Sequence, residues 1–261
     1  MENYETILLE KKEGVGLITF NRPATLNALE VLLEREVLQA LTAWVEEEDV
    51  RAVILTGEGR AFSSGGDVRK MEKGMELFES KSWVEDGGRV TKAILDLPKP
   101  VIAAVNGPAV GGAVNMALAC DFVIASEKAY FSEIFAQVGL IPDAGGHWIL
   151  PRLVGYRKAI ELIFTAERID SRRALELGLI NKVVPHETLM EESFSLAKKL
   201  AQGPTRAFGL TKAILQKSFS ADLSEILEME ALSQSLTFGS QDHREGVRAF
   251  REKRLPEFKG K

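Results

Sequence analysis

The run Val101-Ile-Ala-Ala-Val105 is unbroken in apolar character and stands between Pro98, Pro100 and the breaker Asn106-Gly107-Pro108. A strand with one wet face alternates polar and apolar residues. A run that does not alternate asks to be buried on both faces. Ala52–Thr56, closed by Gly57, and Phe122–Ala125 repeat the pattern, with helical segments between them. Short apolar strands separated by helices imply an α/β layout with a largely parallel sheet.

The rest of the chain fits that frame. Thr6–Leu9 and Val15–Phe20 read as strands joined through Lys11-Lys12-Glu13-Gly14, a hairpin signal. Asn21-Arg22-Pro23 ends the second strand. Leu33, Val37, Leu38, Leu41, Trp44 and Val45 recur at helical spacing, which predicts a helix over residues 29–47. Thr91–Leu97 reads as the end of a helix, and Gly111–Ala119 as a helix of small residues. From Val154 onward the pattern is mainly helical, with segments at 187–202, 205–217, 223–238 and 241–252. Gly203-Pro204 marks a stop and restart. The expected organisation is a core over residues 1–200 and a helical region over 201–261, with Lys259-Gly260-Lys261 loose. No repeat of fixed period is present.

Rare residues narrow the chemistry. A single cysteine, Cys120, excludes an intrachain disulfide and disfavours a cysteine-based metal site. His147, His186 and His243 lie far apart and form no metal-ligand pair. No bound metal or other cofactor is expected. A net charge of −5 argues against nucleic acid as a partner. The acidic start Met1-Glu2-Asn3-Tyr4-Glu5 does not resemble a secretory signal, and no run is long enough to span a bilayer. A cytoplasmic protein without membrane contact is the expectation.

Three glycine clusters remain: Ser63-Ser64-Gly65-Gly66-Asp67, Gly107-Pro108-Ala109-Val110-Gly111-Gly112 and Asp143-Ala144-Gly145-Gly146. None is a nucleotide loop. Gly57-x-Gly59 meets Phe62 where a third glycine belongs, and no Walker-type loop exists. Turns and close packing are the plain explanation. The second cluster, however, follows a buried strand and opens a helix, which leaves the Gly112 N–H among the unbonded donors of a helix start. A converging N–H from Gly66 would complete an oxyanion hole.

At these residues the sequence resembles the crotonase superfamily, the enoyl-CoA hydratases and isomerases. The resemblance runs through Asn21-Arg22-Pro23 with Asn27-Ala28-Leu29, Ala61–Asp67, Lys99–Gly107 leading to Gly111-Gly112, Cys120-Asp121, Gly139-Leu140-Ile141-Pro142, and Gly145-Gly146 with Leu150-Pro151-Arg152. It implies a crotonase spiral of ββα units with a C-terminal helical trimerisation region, built into homotrimers or hexamers. It also implies an acyl-CoA thioester as substrate, coenzyme A being part of that substrate. The Gly66 and Gly112 amides would hold the thioester carbonyl. Ala24, Leu26, Ser64, Gly65, Asp67, Val68 and Gly111 would lie along the coenzyme A portion. Arg22 or Lys253 would meet its phosphates, and Phe250 with Lys253 would reach a neighbouring subunit's ligand.

The sequence departs from the hydratase pattern at both catalytic glutamates. Three residues after Gly112 stands Asn115, and twenty residues later stands Phe135. Glu133 would take the second place only through a two-residue slip. Asp143 follows Pro142 where typical hydratases have glycine. An aspartate there, paired with an asparagine at Asn115, is similar to dienoyl-CoA isomerases and, most closely, to 1,2-epoxyphenylacetyl-CoA isomerases. That resemblance implies Asp143 as acid and base with Asn115 beside it, in phenylacetate degradation or fatty-acid metabolism. Its plain alternative is a turn aspartate, and for Asn115 a polar contact inside the helix. An enoyl-CoA hydratase and a non-catalytic acyl-CoA-binding scaffold are the rival functions. Phe78, Trp83, Phe135 and Trp148 are candidate acyl-pocket residues.

Overall fold

Those apolar runs become the inner strands of a six-stranded sheet. A computed structural model of the chain describes residues 4–72 and 74–261, so Met1, Glu2, Asn3 and Lys73 lie outside the described residues. In order come β1 (Ile7–Lys12), β2 (Val15–Phe20), α1 (Val31–Glu46), β3 (Ala52–Gly57), α2 (Val68–Glu72), α3 (Leu77–Asp96), β4 (Val101–Val105), β5 (Ala109–Val110), α4 (Gly112–Leu118), β6 (Phe122–Ser126) and β7 (Tyr130–Ser132). They are followed by α5 (Gly146–Val154), α6 (Tyr156–Thr165), β8 (Ile169–Asp170), α7 (Ser171–Glu176), β9 (Lys182–Val184), α8 (Leu189–Ala201), α9 (Thr205–Lys217), α10 (Leu223–Phe238) and α11 (Gln241–Glu252). The main sheet runs β1-β2-β3-β4-β6-β9 and a smaller one β5-β7-β8. Among the described residues, β1 and β2 pair antiparallel and the other neighbours in the main sheet pair parallel.

The period of two decides which face each residue serves. Val53, Leu55, Val101, Ala103 and Val105 pack with Leu33, Val37 and Leu41 of α1, Val90 and Ile94 of α3, and Met116 of α4. Ala52, Ile54, Ile102 and Ala104 face the other way, onto Leu189, Ala197 and Ala201 of α8. Helices cover both faces, which is why the strands carry no polar alternation. Among the described residues no helix is long and apolar enough to cross a membrane.

Two features differ from the sequence expectation. The hairpin loop shrinks to Glu13-Gly14, with φ of 54° and 81°, because Lys11 and Lys12 stay in β1. Two successive positive φ values match the twist of a tight hairpin. The parallel sheet also extends past residue 154, where a mainly helical pattern was expected and no strand was read: β9 pairs with Ile124–Ser126 of β6. A three-residue strand is too short to show a periodicity of its own.

Side chains of the sequence motifs fasten the loops above the sheet. Asn27 Nδ2 donates to Glu58 O at 3.0 Å and Ala61 O at 2.8 Å. Asn106 Nδ2 donates to Gly57 O at 2.8 Å and Gly59 O at 2.9 Å. Lys99 is buried and gives its ammonium to the backbone carbonyls of Trp44 and Glu47 at the end of α1. Buried polar groups are retained when satisfied in this way.

Candidate active site

The two glycine loops are brought side by side by backbone pairing. Ser63 N–H donates to Pro108 O at 3.0 Å, and Val110 N–H donates to Ser63 O at 3.1 Å. Contact beyond that point depends on glycine. Gly65 has φ +82°, and a Cβ there would stand 2.7 Å from Val110 O. Gly111 has φ +58° and opens the way into α4. Gly66 and Gly112 follow directly. Among the described residues neither of their N–H groups is consumed by a turn or loop hydrogen bond. Two such donors on adjoining loops are the elements of an anion-stabilising pair.

A carboxylate stands against them. A Cβ on Gly112 would lie 2.7 Å from Asp143 Oδ1, with Leu29 Cδ1 at 3.4 Å. Asp143 is carried by a loop with positive φ at Gly139, Ala144 and Gly145. The loop is fixed by Gly146 N–H donating to Asp143 O at 2.9 Å and by Thr91 Oγ1 of α3 donating to Ala144 O at 2.9 Å. Burial pushes the Asp143 carboxyl up to about 6. Asn115, one turn into α4 and fully buried, donates Nδ2 to Asp143 O at 2.9 Å. Its Oδ1 has no partner among the described residues. Gly146 makes room for it, since a Cβ there would overlap the Asn115 amide. Asn115 thus holds the backbone that carries Asp143.

Two more buried carboxyls feel the Asp143 charge. Glu133 lies 3.5 Å from Asn115 Nδ2 through Oε2 and is buried, with Oε1 unpartnered among the described residues. Burial pushes it up to about 8, with the Asp143 charge adding to the shift against the Asn115 hydrogen bond. Phe135 comes to the site as well: its Cζ would be 3.7 Å from a Cβ on Gly111. A 3-10 turn over Ile134–Val138 follows directly after Glu133, with the Glu133 carboxyl at Asn115 and the Phe135 ring at Gly111. Glu34 of α1 is the residue that sequence reasoning missed. It is buried with Oε2 unpartnered, and burial followed by the charges of Asp143 and Asp86 raises it to about 8. A charged residue inside the apolar stripe Leu33, Val37, Leu41 was the available signal. Among the described residues no carboxyl group here belongs to a cluster able to hold a metal ion.

The other expected ligand residues are distributed unevenly. Ser64 N–H donates to Leu26 O at 2.9 Å and Ser64 Oγ to Thr25 O at 3.3 Å, so the 24–29 loop and the 63–68 loop form one surface. Ala24 lies in the 3-10 turn Pro23–Thr25, and Val68, exposed, begins α2. Arg22 is placed differently from a phosphate-binding cation. It pairs with Glu30 at 2.9 Å and Asp67 at 3.7 Å and donates to Ala28 O at 2.6 Å, which commits its guanidinium to the loop. Asp67 also accepts from Arg69 N–H at 3.1 Å. Phe250, exposed, lies on α11, and Lys253 caps that helix in the left-handed region. No described contact carries either to the glycine loops of its own chain. Of the four aromatic candidates, Trp83 and Phe135 flank the glycines, while Phe78 and Trp148 are exposed, the latter with the Arg152 guanidinium 4.0 Å from its ring centroid.

The sequence profile of the enoyl-CoA hydratase/isomerase family matches residues 10–261. A probable enoyl-CoA hydratase of Rhodobacter capsulatus is 40% identical over 260 residues, covering 99% of this chain and all of the other. A trans-2-decenoyl-[acyl-carrier-protein] isomerase of Streptococcus mutans is 35% identical over 263 residues, covering 99% of this chain and all of the other. The crystal structure of a putative enoyl-CoA hydratase from Streptomyces coelicolor A3(2) superimposes with a TM-score of 0.95 at 33% identity. That match covers all of this chain and 96% of the other.

Proposed function

Because the chain belongs to the enoyl-CoA hydratase/isomerase family and has its crotonase fold, we propose that it is an acyl-CoA isomerase in which Asp143 moves a proton along an enoyl-, dienoyl- or ring-epoxide-CoA thioester. The observation that carries this reading is that Asp143 Oδ1 stands 2.7 Å from where a Cβ on Gly112 would lie, which puts the carboxyl next to that backbone. A base beside an oxyanion donor is where a carbon acid next to a thioester would be deprotonated.

The ionised Asp143 removes a proton from the α- or γ-carbon of the bound thioester. The C–H electron pair moves into an enolate, whose oxygen is held by the N–H groups of Gly66 and Gly112. The electron pair then returns to carbon, and the protonated Asp143 delivers its proton at the other end of the conjugated system. Composition is unchanged and one carboxyl suffices. Asn115 cannot ionise and serves by holding the Asp143 backbone at 2.9 Å. The oxyanion donors contribute about 3 kcal/mol each by general precedent, and the base about 10²- to 10⁴-fold in rate. The coenzyme A portion would run along Ala24, Leu26, Ser64 and Val68. The exposed leucines 223, 227, 232 and 236 of α10 support a trimer or hexamer, since a lone chain leaves that apolar surface uncovered.

A second reading, enoyl-CoA hydratase, is favoured by Glu133. Asp143 and Glu133, both in reach of Asn115, would supply an acid and a base for adding water. Product mass separates the two. With 2-enoyl-, 3-enoyl- and ring-epoxide thioesters, the expected result is conversion without change of mass. Rapid gain of one water by a 2-enoyl thioester would sink the isomerase reading, and tight binding with no turnover of any of them would leave a binding scaffold.

A further inference from the structure

Three successive carbonyls of the loop that carries Asp143 are held from three different helices. Asp143 O accepts from Asn115 Nδ2 of α4, Ala144 O from Thr91 Oγ1 of α3, and Gly145 O from the Trp148 and Ile149 N–H groups of α5, each at 2.9 Å. The middle bond is the unusual one. Hydroxyls inside helices commonly turn back to the carbonyl four residues before them. Thr42, Thr165 and Ser235 do so here, donating to Leu38 O at 2.7 Å, Glu161 O at 2.7 Å and Ala231 O at 2.8 Å. Thr91 instead donates across 53 residues of chain. Its methyl packs on the same turn, since a Cβ on Gly145 would lie 3.1 Å from Thr91 Cγ2. Thr91 is buried, and a β-branched residue is a weak helix former, so helix propensity gives no reason for it.

What Thr91 holds is a strained turn. Ala144 has φ +45°, a left-handed conformation that costs an L residue energy, and Gly145 follows at +81°. A residue stays in such a conformation when the contacts around it over-determine it. Ala144 is buried, and among the described residues no turn or loop N–H donates to its carbonyl. The Thr91 hydroxyl supplies that donor. We propose that Thr91 is a positioning residue for Asp143: from α3 its hydroxyl locks the left-handed Ala144 and so keeps the neighbouring carboxyl beside Gly112. The proposal rests on the reading of Asp143 as the base. Thr91 acts through the turn alone. Releasing the Ala144 carbonyl lets the turn relax toward an ordinary φ, and the backbone from which the Asp143 side chain projects turns with it. Asp143 Oδ1, now 2.7 Å from where a Cβ on Gly112 would lie, then leaves that position. A misplacement of about 1 Å at a reacting centre is enough to cost about 10²-fold in rate.

The test uses the full chain. Thr91→Val keeps the side-chain shape and removes the donor. It is expected to lower kcat roughly ten- to a hundredfold with a smaller change in KM, because a displaced base acts on the transition state. Thr91→Ser, which keeps the hydroxyl and lacks only the methyl, is expected to recover most of that loss. Hydrogen exchange at the Gly146 N–H, which donates to Asp143 O at 2.9 Å, reads the same turn without substrate. It is expected to run on the order of tenfold faster in Thr91→Val and near the wild-type rate in Thr91→Ser. Should the valine variant not fold, Thr91→Ala set against Thr91→Ser gives the same comparison. Wild-type kcat in Thr91→Val, equal kcat losses in the valine and serine variants, or unchanged exchange at Gly146 would each overturn the proposal. Failure of the isomerase reading shows differently: Asp143→Asn would then turn over like the wild type, while the exchange contrast between valine and serine would persist.

Discussion

Asp143→Asn is expected to lower kcat by about 10²- to 10⁴-fold while leaving thioester affinity within a few-fold. The substitution keeps size and hydrogen-bonding shape but removes the carboxylate that stands 2.7 Å from where a Cβ on Gly112 would lie. The pH dependence has a definite sign. Burial raises the Asp143 carboxyl to about 6, and only its ionised form is a base, so wild-type kcat/KM rises as pH passes upward through about 6. That acid limb should disappear in the asparagine variant. Steady-state turnover between pH 5 and 9, with calorimetric binding of an unreactive thioester, checks both points. Unchanged turnover would reduce Asp143 to a turn residue.

Gly112→Ala is expected to be as damaging, at about 10²- to 10³-fold in kcat, and far worse than Gly66→Ala. The comparison follows from what each new methyl meets. At Gly112 it would lie 2.7 Å from Asp143 Oδ1, so either the carboxylate rotates away or the start of α4 shifts, and both disturb the N–H and the base together. At Gly66 it would meet Met71 Cε at 2.7 Å, but that methyl is the end of a flexible side chain, and the Trp83 ring stands back at 3.4 Å. Measuring kcat and the thermal midpoint of both variants decides the matter. Equal kcat losses, or a Gly112→Ala loss explained by unfolding, would contradict it.

Much of the fold is legible in local sequence because its signals are local. Val101–Val105 appears as a strand with the boundaries read from its prolines and its breaker. Helices α9, α10 and α11 run over 205–217, 223–238 and 241–252, the bounds read from the sequence. Helix α3 was visible only at its C-terminal end, since its first turns expose Leu77 and Phe78 and show no buried face. Strand β9 was invisible because three residues acquire strand identity only by pairing with β6.

The candidate site divides along the same line. Glycine pairs, Asp143 after Pro142, and Asn115 three residues after Gly112 are chemical facts of the sequence, and they place a proton-transfer hypothesis on named residues. Sequence could not tell that Asn115 spends its amide on the Asp143 backbone, that Arg22 is consumed by Glu30 and Asp67, or that Glu133 and Phe135 arrive together. Nor could it separate Glu36, a saturated structural acceptor, from Glu34, which is buried with an oxygen that has no partner among the described residues. Residue type sets which groups can donate, accept or ionise. Which of them meet, and what burial does to their charge, depends on contacts between segments far apart in the chain, and those exist only once the sheet and its helices have closed around them.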